Sequence, residues 1–465
     1  MSEVLQELID TLGDDRVLTG DDVHSRSAGI WRRDTVQAKA IVRPRSTEEV
    51  STALRICHAH GQKVVAHGGL TGLVESAITG PDEVALSLER MNQIEELNAV
   101  DRTLVVQSGA VLQAVQEAAE AQGLMFPLDL GGRGSCTIGG NISTNAGGNR
   151  VVRYGMTRDM VLGLEAVLAD GTVISSMNRM IKNNAGYDLK QLFIGTEGTL
   201  GIVTRAVLRL REKPLNQATV LVALDAFVKL PGFLKHMDQA LGGTLSAFEA
   251  MWNSFYTQVT TAPARSQPPI SREYPYYVLL EAMGSDEGVV EAALTEAYEK
   301  DLICDAVLAQ SEGQRQQLWG MRDDVEQCFR DGPTIAFDVS LRISDMEGYV
   351  AEVERRLAEV FERRDVYIFG HMGDGNLHLV IGVGAYSKEI RRKVESSVYE
   401  PLRAIGGSVS AEHGVGLEKK PYLEISRSTV EIELMRTLKK ALDPKGILNP
   451  GKIFDLPSGD AEAVA

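Results

Sequence analysis

In the first half of the chain, short apolar runs alternate with stretches whose apolar residues recur at helical spacing. Ala40-Ile41-Val42, closed by Arg43-Pro44, predicts a strand, and 47–60 a helix with Ser46 or Thr47 as its cap and Glu48 and Glu49 in its first turn. Val64-Val65-Ala66 is a strand running into HGGLTGL, and Leu104-Val105-Val106 is another. Residues 111–122 carry a helical pattern that Gly123 stops. Strands at 162–168, with the turn Ala169-Asp170-Gly171, and at 202–210 close this half.

Lys213-Pro214 reads as a linker, followed by a long mixed segment, a Pro-rich stretch at 264–277 and helices at 286–300 and 343–364. There is no internal repeat. The partition this predicts is an N-terminal helical segment at 1–34, one domain at 35–213, a second at 214–456 and a small, polar, frayed tail at 457–465.

A chain of 465 residues, 44% hydrophobic and 24% charged, is long enough for two to four packed domains. Its formal charge of -16, with no Lys/Arg cluster, argues against nucleic acid as a partner and for simple solubility. Cys57, Cys136, Cys304 and Cys328 are too scattered for a disulfide framework or a CxxC metal pair, which fits a reducing compartment. The acidic start MSEVLQELIDTLGDD is neither a secretory nor a transit signal, and no apolar run nears the ~18 residues of a membrane span. The expectation is a cytoplasmic protein.

HGGLTGL follows a strand, so its amides could make an anion nest for a phosphate, although it matches neither GxGxxG nor GxxxxGK[ST]. PLDLGGRGSCTIGGNISTNAGG, at 127–148, holds seven glycines and only two charges, Asp129 and Arg133, a composition that brings backbone close to something. GTEGTLGI, at 195–202, has the same character. Three such loops in one domain point to a large, extended ligand with phosphates and polar edges.

GHMGDGNLHL, at 370–379, sets His371 and His378 on either side of Gly373, Asp374, Gly375 and Asn376. Gly-Asp-Gly is poor helix, and on a single strand a spacing of seven would send the rings to opposite faces. Two strands, at 366–369 and 377–383, joined by that turn would bring the rings together. A metal such as zinc needs a third ligand, and SVSAEHGVG supplies Glu412. Two histidines and one carboxylate with an open position make a catalytic rather than a closed structural site. His413 diverges from its neighbour Glu412 and is left as a general base. Singly, each histidine reads as a satisfied residue in a turn; three in two Gly-flanked loops, with a carboxylate, favour chemistry.

These motifs, with NNAGYDLKQLFIGTEGTLGI and LDPKGILNPGK, closely resemble the FAD-dependent D-2-hydroxyacid dehydrogenases over 40–453, nearly the whole chain. The resemblance implies an α+β fold: an FAD-binding domain of the vanillyl-alcohol-oxidase (PCMH) type, then a substrate domain with an antiparallel sheet. It implies that Gly68, Gly69, Thr71 and Gly72 hold the pyrophosphate of a noncovalent FAD, with Leu73 and Pro127 in the same lining. Gly134, Ser135, Gly139, Asn141, Thr144, Asn145, Gly148, Gly198 and Ile202 would line the rest, and Asn449 would lie near the ring. His371, His378 and Glu412 would hold a divalent ion, zinc being expected, with His413 as base and Arg322 of LWGMRDD gripping the substrate carboxylate.

The chemistry is consistent with those roles: a metal lowers the pKa of the substrate hydroxyl, a base takes its proton and a flavin accepts the hydride. Arg322 can also be read as a surface residue pairing with Asp323 or Asp324.

Some positions depart from the family pattern. Glu326 stands where a hydroxyl residue is usual, Ala336 where a lysine is, and Val380 where a polar residue is; Arg342 replaces a proline. Losing a cation and gaining an acid disfavours a second substrate carboxylate unless Arg342 restores the charge. The substrate reading therefore spans D-2-hydroxyglutarate, D-lactate and related D-2-hydroxy acids.

A metallohydrolase would use the same His/His/Glu set but leave three Gly-rich loops without a ligand. A non-catalytic flavoprotein subunit would need neither metal nor base. The dehydrogenase reading uses every feature, with an electron-transfer flavoprotein, quinone or cytochrome as external acceptor and a homodimer as a possible assembly.

Overall fold

The computed structural model describes residues 2–457; the expected tail, apart from Pro457, lies outside the described residues. The chain forms two compact units. Residues 1–147, 156–213 and 412–465 make the first, and 148–155 with 214–411 make the second. The second unit is thus an insertion between pieces of the first, whereas the sequence partition runs in successive blocks.

The first unit is built on two main sheets. One has four strands in the order Val17–Thr19, Ala40–Val42, Val84–Ser87, Val64–His67. Its inner pairs are parallel, and Val17–Thr19, from the segment expected to be only helical, adds an antiparallel edge. The other is a five-stranded antiparallel sheet in the order Ile94–Asn98, Thr103–Gln107, Ile202–Arg209, Val161–Val167, Val173–Ser176. Helix Thr47–Ala59 starts where its cap predicts, with the Ser46 hydroxyl accepting from the Glu49 amide. Val50, Ala53, Leu54 and Cys57 on its inner face join the core with Val42, Val64 and Leu86. Residues 447–449 complete the unit from the far end of the chain. The Val64 amide donates to the Ile447 carbonyl and the Asn449 amide to the Val64 carbonyl, each at 2.8 Å.

The second unit is a seven-stranded, wholly antiparallel sheet. Its order is Asp305–Leu308, Gln217–Leu224, Tyr276–Met283, Leu245–Trp252, Asp365–His371, Asn376–Gly382, Thr334–Ser340. The three central strands from the mixed segment are buried on both faces, so they lack the alternation that marks a half-exposed strand. One face packs against helices Lys229–Ala240 and Lys388–Ile405 through Phe233 on Phe248 and Tyr399 on Phe337. The other is covered near its middle by helices Asn253–Thr260 and Glu312–Asp323, with Phe255 stacked on Phe369 at 4.1 Å and Tyr256 on Tyr277 at 3.7 Å. Among the described residues no helix is long and apolar enough to cross a membrane, and all four cysteines are free thiols.

Candidate active site

In the first unit the Gly-rich loops converge. Gly68 and Gly69 end the strand Val64–His67 against the 135–140 segment. A β-carbon on Gly68 would stand 2.8 Å from the Thr137 hydroxyl, and one on Gly69 would fall on the Ser135 carbonyl. The amides of residues 68–73 donate to no group among the described residues, which is the state of an anion nest. At Gly72 and Gly134 little crowds the backbone: nothing lies within 4 Å of a β-carbon on Gly72, and the Gln113 side chain comes no nearer than 3.4 Å to one on Gly134. Leu73 is exposed and Pro127 is buried.

Helix Ile138–Thr144 carries Gly139, Asn141 and Thr144. Gly139 lets it touch Ser108, its amide donating to the Ser108 carbonyl at 2.7 Å. Asn145 caps the helix in the left-handed conformation at φ 51, a conformation asparagine tolerates. Gly148 falls instead in the second unit.

The 195–198 turn lies along this helix end, with the Glu197 amide donating to the Ser143 carbonyl at 2.8 Å. Gly198 abuts Asn449, whose carboxamide accepts from the Ala66 amide at 2.8 Å and donates to the Glu197 carbonyl. Ile202 is buried at the start of its strand. This cradle fits the adenine dinucleotide that the loops imply: amides for phosphate, and glycines where backbone must come close.

His67 beside the nest is buried, and its Nε2 bonds to the Ala77 carbonyl at 2.9 Å. Burial pushes the ring's pKa down to about 4.

Glu412 and His413 also belong to the first unit. The Glu412 carboxylate lies against Gly147, 2.8 Å from where a β-carbon would be, so any side chain at residue 147 would have to displace it. The turn after His413 is held by Glu197, which accepts from the Val415 amide at 2.6 Å, the Gly416 amide at 2.9 Å and the Ser76 hydroxyl. Burial pushes the Glu197 carboxyl above its ordinary range, and these donors only partly offset it. The sequence reading took the 195–202 loop as flavin lining and had no role for this side chain.

In the second unit the hairpin does what the histidine spacing requires. Phe369 pairs with His378 in register, so His371, two residues on from Phe369, shares the face of His378. The ring centroids of the two histidines are 5.3 Å apart.

The adjoining strands put Glu249 opposite His371 and Asp338 opposite His378. Glu249 Oε1 lies 2.7 Å from His371 Nδ1, and Asp338 Oδ1 3.9 Å from His378 Nδ1. Arg322, near the end of helix Glu312–Asp323, is 5% exposed. It bonds to Glu249 rather than to Asp323 or Asp324, its Nε 2.9 Å from Oε2, and its guanidinium sits 4.9 Å over the Phe369 ring. Burial pushes the Glu249 carboxyl up, but the His371 and Arg322 charges outweigh it and hold the group below its ordinary range. Sequence reasoning missed both Glu249 and Asp338. The available signal was a lone acid in an otherwise apolar run, as in LSAFEAMW.

Asn376 shares the His378 face, is 3% exposed, and has neither carboxamide atom hydrogen-bonded among the described residues. An orphaned buried amide beside two histidines fits a site that takes a polar ligand. Further along the same face Ala336 pairs with Val380, an apolar row. Arg342 is exposed, its Nε 2.6 Å from Asp345, and Glu326 is exposed as well.

Comparison with known proteins agrees with this layout. Residues 38–176 match a family model described as FAD binding domain, and 213–453 one described as FAD linked oxidases, C-terminal domain. A D-2-hydroxyglutarate dehydrogenase of Xanthomonas citri pv. viticola is 42% identical over 432 residues, 91% of each chain. The mitochondrial D-2-hydroxyglutarate dehydrogenase of Bos taurus is 42% identical over 422 residues, 90% of this chain and 77% of that one. Among solved structures, p-cresol methylhydroxylase with substrate bound superposes with a TM-score of 0.75 at 17% identity, covering 97% of this chain and 96% of that one. That last likeness is one of fold, the vanillyl-alcohol-oxidase (PCMH) type.

Proposed function

Because the chain belongs to the FAD-dependent D-2-hydroxyacid dehydrogenases, we propose that it oxidises a D-2-hydroxy acid to the 2-oxo acid with the help of a divalent metal ion. The observation that carries this reading is the row Glu249, His371, His378 on one sheet face, with Arg322 reaching Glu249 from the helix that covers it: an anchor for a carboxylate and two imidazoles, linked through one buried glutamate. When bound, FAD supplies a hydride acceptor and the metal a Lewis acid that lowers the pKa of the substrate hydroxyl.

The chain's own residues do the rest. Arg322 spends Nε and Nη2 on Glu249 and meets the substrate carboxylate with its remaining edge, which fixes the face of C2 and with it the D configuration. His371 and His378 are the imidazole donors for the metal. Glu412 is the carboxylate donor, one peptide bond beyond Ala411, whose amide Asp338 holds at 3.2 Å. His413 receives the hydroxyl proton, on a turn that the Glu197 carboxylate keeps rigid. FAD is held without a covalent bond, in keeping with the His67 nitrogen already bonded to Ala77.

The relatives named above make D-2-hydroxyglutarate the first substrate to test. The residues of this chain favour a monocarboxylate such as D-lactate at least equally: Ala336 and Val380 are apolar, and Arg342 is turned to Asp345.

The test is an anaerobic visible spectrum of the purified protein with each D-acid, before and after chelator. Bleaching of the flavin band by a D-acid, abolished by chelator and restored by zinc, is the expected result. Flavin that no D-acid reduces would overturn the proposal. A kcat/KM far higher for D-2-hydroxyglutarate than for D-lactate would overturn the substrate assignment alone.

A further inference from the structure

We infer that Glu249 is a positioning residue that sets the His371 ring for the metal and the Arg322 guanidinium for the substrate, so that both affinities depend on one carboxylate. This rests on the function proposed above. Glu249 is fully buried in the strand Leu245–Trp252, whose other residues are almost all apolar or small. A carboxylate there is strongly unfavourable unless it is fully paired.

The way it is paired is informative. An arginine–carboxylate pair is frequently a fork, two nitrogens on two oxygens. Here Nε and Nη2 of Arg322 both lie 2.9 Å from Oε2, and Oε1 is given over to His371 Nδ1 at 2.7 Å. With Nδ1 carrying the proton toward Glu249, Nε2 is the nitrogen presented as a ligand, and the ring plane is fixed.

The same sheet offers an internal control. Glu281, in strand Tyr276–Met283, is equally buried but bonds to Arg150, Gln217, Trp319 and Ser246, none of them a candidate site residue. A buried glutamate that serves only packing in this unit therefore looks different.

The experiment compares wild type, E249Q and E281Q as FAD-loaded proteins. Zinc affinity is read by competition with a chromogenic chelator, folding by circular dichroism and flavin content, and KM from steady-state kinetics. The carboxamide in E249Q leaves one carbonyl oxygen for two donors, so this variant is expected to bind zinc about 10–100-fold more weakly. Its KM for the D-acid should rise at the same flavin content, while E281Q keeps wild-type zinc affinity.

If E249Q alone does not fold, E249Q/R322M removes both charges of the pair, and its zinc affinity should still fall about 10–100-fold below that of R322M. Wild-type zinc affinity and KM in E249Q, or zinc loss equal in E249Q and E281Q, would overturn the inference. A wild type that binds no zinc would overturn the metal reading itself.

Discussion

Acid should weaken the first unit through His67. The ring is 4% exposed and donates from Nε2 to the Ala77 carbonyl, so it is held neutral. Burial, helped by the charges of Arg26 and Lys452, depresses its pKa to about 4, and neither Ala77 nor Glu89 reverses the effect. The folded pKa thus lies below the unfolded one, the ordinary histidine value of 6.5. Stability is unaffected above the unfolded value. It falls as pH drops below it, because the unfolded chain binds a proton that the native chain refuses.

The shift corresponds to about 3 kcal/mol once pH is below both values, and to about 2 kcal/mol between about pH 7 and about pH 5. At roughly 2–4 °C per kcal/mol for a unit of this size, the melting temperature attributable to His67 should fall by about 4–8 °C over that interval. The variant H67Q keeps a donor for Ala77 without a titrating ring. Thermal melts of wild type and H67Q at the two pH values isolate the effect, since every other group titrates in both. The same acid-induced drop in the two proteins would refute the reasoning.

Two further substitutions probe the flavin cradle. Gly69→Ala places a methyl on the Ser135 carbonyl and 2.9 Å from the Cys136 Cα; a shift costing about 1–3 kcal/mol should weaken FAD binding roughly 5–150-fold, read by flavin fluorescence titration. Wild-type affinity would mean the loop moves freely. Asn449→Ala leaves the Ala66 amide and the Glu197 carbonyl without their partner, at about 1–3 kcal/mol each, so melting should fall by several degrees; an unchanged melt would show that water replaces the carboxamide.

The hairpin bearing His371 and His378 was legible in the sequence because Gly-Asp-Gly forbids a helix and the flanking runs are β-like. The same held for helix Thr47–Ala59, whose cap and charge pattern are local. The strands Gln217–Leu224, Leu245–Trp252 and Tyr276–Met283 were not recognised: buried on both faces, they show no alternation, only apolar content that a helix could equally carry. Glu249 was lost with them. Its meaning lies in a partner 122 residues away, His371, and no local pattern encodes such a distance. The clamp of Glu197 on Val415, separated by 218 residues, was hidden for the same reason, although the loop that carries it was singled out.

The closure of the first unit by residues 447–449 has a consequence for how the chain is made. Val64–His67 is an edge strand, and its outer side is met by Leu448 in a parallel bridge and by Asn449. At about 5–20 residues per second, a ribosome that has finished that strand needs roughly 20–80 s more to deliver its cover. Throughout that interval the nascent sheet presents unpaired backbone, the template on which neighbouring chains aggregate. The four strands of the first sheet are finished by residue 87, while residues 214–411 are still to be synthesised. Slow synthesis between residues 68 and 447 should therefore lower soluble yield more than the same delay placed before residue 64.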